Sequence, residues 1–176
     1  MMKQLILTGA IVAMGSTVHA QAPAQGRGAG GRGAAQEAPP APAPGSAGTY
    51  KADADLMAAL KKAIAAAGGA QSSSPVSNTD QYRINLVHRE KAAGALAHAG
   101  NTELHYIIEG AATVVTGGTI VRPADGGANA ATIQGGDTRH IKKGDIIIVP
   151  AGSAHWYKEI DSPVTYLEVR WLAPAK

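Results

Sequence analysis

From Gln81 to Trp171 the chain is a succession of short runs rich in β-branched and aromatic residues, cut at close intervals by Gly, Pro, Asn and Asp. The runs are Tyr82–Arg89, Glu103–Gly110, Ala112–Gly118, Thr119–Pro123, Ala131–Gly136, Asp145–Pro150, Ala154–Ile160 and Val164–Leu172. Strand formers bounded by turn residues at this spacing must pair with one another, which predicts an all-β sandwich or barrel. No helix-length segment lies between the runs, so the crossovers of a parallel α/β sheet are excluded.

What precedes the strands is different in kind. Residues Met1–Ala20 carry Lys3, an apolar run from Leu5 to Met14, and small residues at Val18 and Ala20. That pattern predicts a signal peptide at 1–20, cleaved after Ala20, with a periplasmic or secreted product. The apolar run falls well short of the ~20 residues a membrane-spanning helix needs, so no membrane insertion is expected after processing. Residues 21–50 are mostly Ala, Gly, Pro and Gln. Such a segment buries too little apolar surface to offset its ordering entropy and is expected to be a disordered tether. The charge of the chain is a feature of this end. Lys3, Arg27 and Arg32 against Glu37 leave the remainder within one charge of neutral. No basic footprint for nucleic acid exists. Cysteine is absent, so disulfides, a thiolate nucleophile and a cysteine zinc site are excluded.

Residues 51–80 are expected to form a helix and a loop. Leu56, Leu60 and Ile64 recur at four-residue spacing, Asp53 or Asp55 can cap the start, and Gly68-Gly69 ends it. The stretch "SSSPVSNTD" then reads as a solvated loop. Residues 81–176 are the expected barrel.

Within the barrel, "GDIIIVPAGSAHWYKE" holds the chemistry of most interest. Asp145–Val149 is apolar on both faces and reads as a buried strand. Pro150 ends its ladder and Gly152 permits a sharp turn, so the chain re-enters with His155 aimed back toward the interior. Upstream, "HAGNTELHYIIEG" offers His98, a turn, and a strand on which Glu103, His105 and Ile107 share one face. Imidazoles and a carboxylate converging in a small barrel are costly to bury unpaired, and a divalent metal removes that cost. His88 shares a face with Tyr82, Ile84 and Leu86 and reads as core or pocket wall. Tyr157 shares the face of His155 and could line a pocket. His140 sits in a polar segment and reads as solvent-facing. Trp156, Tyr157, Tyr166 and Trp171 read as barrel packing. The glycine-rich pieces lack a Gly-Lys-Ser/Thr, so no phosphate loop is present.

These residues resemble the cupin family. Its second motif, Gly-x5-Pro-x-Gly-x2-His-x3-Asn, is matched by Gly144, Pro150, Gly152 and His155, with Glu159 in the Asn position. Its first motif is matched by His98, Glu103 and Gly110, but Leu96 stands where the first histidine belongs. The resemblance spans about Tyr82 to Trp171 and implies a small double-stranded β-helix, or jelly-roll barrel, with one N-terminal amphipathic helix outside it. It also implies a divalent transition metal (Fe, Mn, Zn or Ni) held by His98, Glu103 and His155. His105 is open between a further ligand, a donor to a ligand and a core residue. Glu103 or His105, whichever is not ligated, is the expected catalytic acid or base. The resemblance implies an oxygenase, isomerase or lyase acting on a small molecule. The alternative is a non-catalytic cupin that binds a ligand or a metal. Family analogy adds a homodimer.

Overall fold

The computed structural model describes residues 40, 43–124 and 126–173; the signal-peptide expectation and most of the tether lie outside these residues. Helix α1 (Asp53–Ala67) is followed by strands β1 (Gln71–Asn78), β2 (Tyr82–Arg89), β3 (Leu96–Ala97) and β4 (Asn101–Thr116). A small hairpin, β5 (Thr119–Val121) with β6 (Thr132–Gln134), precedes β7 (Asp137–Lys142), β8 (Ile146–Val149) and β9 (Ala154–Leu172). Among the described residues no helix is long and apolar enough to cross a membrane.

Two long antiparallel strands, β4 and β9, organise everything else. The first half of β4 and the second half of β9 lie between β8 on one side and β2, then β1, on the other. Their other halves are flanked by β7 and β3. The ribbon shifts register repeatedly between Ile107 and Val114, which bends it and lets one pair of strands serve both sheets of a jelly roll. Gly110 sits in this bend at φ 83°, and a Cβ there would overlap the Pro163 carbonyl of β9. Only glycine lets the two strands approach so closely.

The core lies inside this ribbon. Val87, Ile107, Ala112, Val114, Ile141, Tyr157, Val164 and Tyr166 form one buried cluster. Helix α1 packs against β1 and, less extensively, β2, and Leu56 lines a groove there together with Tyr82, Ile84 and Leu167. Leu60 is its buried residue, and Gly68 ends it in the left-handed conformation (φ 55°). The start differs from expectation. The N-cap is Ala52, without a side-chain cap, and Asp53 and Asp55 lie in the first turn, where they oppose the helix dipole's positive end.

Three further expectations are corrected. "SSSPVSN", read as a loop, is strand β1 at the sheet edge. Its side chains are polar because its ladder is made by backbone, and Pro75 is tolerated at the bulge between Pro75 and Ser77. The segment around His140, read as a polar loop, is β7, although His140 itself is exposed and pairs with Asp161 at 3.0 Å. Strand β8 is not buried on both faces: Ile146 and Ile148 are 58% and 60% exposed on the outer side, while Val149 is buried. In addition, the runs Glu103–Gly110 and Ala112–Gly118 fall on the single strand β4, and Ala154–Ile160 and Val164–Leu172 on the single strand β9.

Candidate metal centre

Three elements bring the site together. Strand β4 turns Glu103, His105 and Ile107 inward, all essentially fully buried, and turns Tyr106 to the outside. The Pro150–Ser153 turn ends at Ala154, and His155 follows on the inner face of β9. His98 lies in the turn after β3, and its carbonyl accepts a hydrogen bond from the Gly152 amide at 2.9 Å. The segments carrying the two sequence motifs are therefore tied directly to each other. Leu96 pairs with His155 across β3 and β9, so the two side chains share the inner face.

At the centre is Glu103, 1% exposed. One oxygen contacts His98 Nδ1. The other accepts from His105 Nε2 at 3.2 Å and lies 3.7 Å from His155 Nε2 and 3.6 Å from Arg170 Nε. Burial by itself would raise this carboxyl's pKa. Hydrogen bonds from His105 and His98 and the charges of His155 and Arg170 outweigh it and hold the group well below the usual carboxylate range. His155 is pushed down to about 4, chiefly by burial and against the pull of Glu103, so its imidazole is neutral at physiological pH and able to ligate.

A second layer supports this carboxylate. Arg170 donates through Nη2 to Glu168 Oε1 at 2.7 Å, and its Nη1 lies 3.3 Å from His98 Nε2. Asn85 donates to the other Glu168 oxygen at 3.3 Å. Deeper in the barrel, Arg89 Nε donates to the Tyr166 hydroxyl at 3.0 Å. Tyr166 is hydrogen bonded to Tyr157, and Tyr157 in turn lies 3.1 Å from His105 Nδ1. At the two ends the direction is fixed: the Arg89 guanidinium donates to the Tyr166 hydroxyl, and the ionised Glu103 carboxylate accepts from His105 Nε2. Burial raises both phenols above their ordinary values, so each keeps its proton.

The residues named from the sequence separate into two places. His98, Glu103, His105 and His155 are gathered around one point, and Tyr157 stands behind them, against His105 Nδ1 and within the core cluster. His88 is not among them. It shares its face of β2 with Leu86 and hydrogen bonds through Nδ1 to Thr165 at 2.9 Å, whereas Asn85, Val87 and Arg89 occupy the interior face. Glu168, Arg170, Arg89 and Tyr166 were missed as site residues. The signal was the period-2 face Val164, Tyr166, Glu168, Arg170 on β9, whose charged members read more simply as solvent-facing.

One donor atom from each of His98, Glu103 and His155 lies within 4.8 Å of the others, and the same holds for Glu103, His105 and Glu168. The first group fits a divalent transition metal: two imidazoles and a carboxylate, with His98 on the open side, its side chain 30% exposed. The second group already has a cation, because the Arg170 guanidinium touches both of its carboxylates. The fold is a jelly roll, in which β4 and β9 serve both sheets. Its motif residues Gly110, Gly144, Pro150, Gly152 and His155 occupy the ribbon bend and the turns that deliver the site.

No family model matches the sequence, and no curated protein matches it. Among solved structures, the chain is similar to the Cnp3 cupin domain of Schizosaccharomyces pombe at 15% identity and a TM-score of 0.45, over 60% of this chain and 66%, just under two thirds, of that one. It is similar to KdgF from a Halomonas species at 13% identity and a TM-score of 0.44, over 60% of this chain and 82% of that one. A cupin superfamily protein of Desulfitobacterium hafniense matches at 16% identity and a TM-score of 0.43, over 58% and 78%.

Because Leu96 faces His155, Leu96→His places an imidazole beside the group. Metal affinity should rise by about 1–3 kcal/mol if a further ligand is gained. Competition against a chelator measures this directly, and an unchanged affinity would show that Leu96 does not reach the metal.

Proposed function

We propose that this chain is an exported, metal-dependent cupin enzyme in which His98, Glu103 and His155 hold a divalent transition metal that acts on a small molecule. The observation that carries the reading is the convergence of these three donors, one of them a buried carboxylate, with the His98 side open. A bound metal would supply a Lewis acid for a carbonyl, carboxylate or enediol oxygen, in chemistry of the oxygenase, isomerase or lyase type. The chain's own groups hold the rest. His105 keeps a proton on Nε2 between Glu103 and Glu168, 3.2 and 3.9 Å away, with Tyr157 fixing its ring from the other side. Arg170 pairs with both carboxylates. A purely ligand-binding cupin needs no acid–base group beyond its ligands, and the adjacent His105 and Glu168 favour the enzyme.

The test is metal analysis of untagged protein and two variants. His155→Ala should lose the stoichiometric metal of the wild type. His140→Ala should keep it, since His140 is exposed on β7 and pairs with Asp161. Equal metal content in both variants would place the site elsewhere.

A further inference from the structure

Beside the His98 edge of the site lies a cleft of about 320 Å³, lined among others by Thr79, Gln81, Arg83, His98, Asn101 and Arg170. Its charge is arranged in an unusual way. Arg83 of β2 and Arg170 of β9 are directly opposite in register, so two guanidinium side chains leave the same face at adjacent positions. Like charges placed opposite each other across a ladder are destabilising, and most sheets avoid them. Arg170 offsets part of this by pairing with Glu168 and Glu103. Arg83 makes no ion pair among the described residues and stands exposed at the cleft. Around it are the neutral polar groups of Thr79, Gln81 and Asn101. Asp80 also borders the cleft.

A guanidinium presents a planar fork that matches a carboxylate, and a carboxylate between two of them would remove their repulsion. His98 is shared between this cleft and the metal-holding group. A molecule seated here therefore has a cationic anchor at one end and an open ligand position at the other. We propose that Arg83, with Arg170 behind it, reads a carboxylate, so that the molecule taken by this cleft is a small organic anion carrying a second oxygen toward His98, Glu103 and His155. The inference rests on the metal reading for that second contact only.

The test is calorimetric titration of the Zn²⁺-loaded full chain with malonate, succinate and glutarate and with the corresponding diamides. At least one diacid should bind ten-fold or more tightly than its diamide. Arg83→Gln should remove that preference while leaving Zn²⁺ stoichiometry at the wild-type value, and Arg83→Lys should restore part of it. Equal binding of acid and amide, no binding of any diacid at millimolar concentration, or an unchanged preference in Arg83→Gln would overturn the proposal. If the protein takes up no Zn²⁺ yet prefers diacids through Arg83, the anion site stands and the metal reading falls.

Discussion

Glu103→Gln should cost the protein its metal and a large part of its stability together. The carboxylate is buried among three imidazoles and Arg170, so its removal leaves these donors facing a neutral amide that cannot balance them. Breaking a buried charge pair from one side costs roughly 3–5 kcal/mol. Metal affinity should fall by about two orders of magnitude or more, because an anionic ligand becomes a weak neutral one. Glu109→Gln is the control: Glu109 is exposed on the same strand. Its replacement should change the unfolding free energy by no more than about 0.5 kcal/mol. Denaturant melts of metal-free protein, with metal analysis of the loaded form, read both effects. A Glu103→Gln variant as stable as Glu109→Gln would mean that the site charges are solvated and that the centre has been wrongly drawn.

Gly110→Ala should be as damaging for a reason unconnected with chemistry. Its φ of 83° is strained for alanine, and the new methyl would overlap the Pro163 carbonyl and the Val164 Cα, which are backbone atoms of the partner strand. Relief requires β4 and β9 to part at the bend on which both sheets depend. The loss should exceed about 3 kcal/mol, against about 1 kcal/mol for positive φ alone. Gly144→Ala separates the two effects. Gly144 has φ 93° but nothing within 4 Å of an added Cβ, so it should show only the smaller cost. Equal losses at the two positions would show that the ribbon bend is soft.

Arg170 ties the chemistry to the architecture. It reaches Glu168, Glu103 and His98 from one position on β9, the strand that also pairs with β4 and β2. A metal held by His98 would replace one of the contacts that residue now makes, to Glu103 or to Arg170.

The sequence by itself determined the strand-rich class and the terminus of α1 at Gly68, which are consequences of local chemistry, and its resemblance to the cupin motifs pointed to His98, Glu103 and His155. Turn residues stop ladders, glycine takes the left-handed conformation, and a Pro-x-Gly turn three residues before a histidine fixes where that histidine re-enters. Period-2 alternation also placed Glu103 and His105 on one face. Alternation says which residues share a face, however, and not which face is inside. On β9 the apolar residues Leu167 and Val169 turn away from the barrel, while Tyr166, Glu168 and Arg170 turn into it. A charged interior face is stable only because Asn85, Arg89, His98 and Glu103 arrive from other strands to satisfy it. His88 fell on the outer face of β2 for the same reason, since pairing with Thr165 put its ring on the side away from Val87 and Tyr166. Strand β1 was hidden because an edge strand is held by its backbone, and its serines carry no apolar signal. Only the tertiary structure decided these points, because burial and charge compensation belong to pairs of strands far apart in the chain.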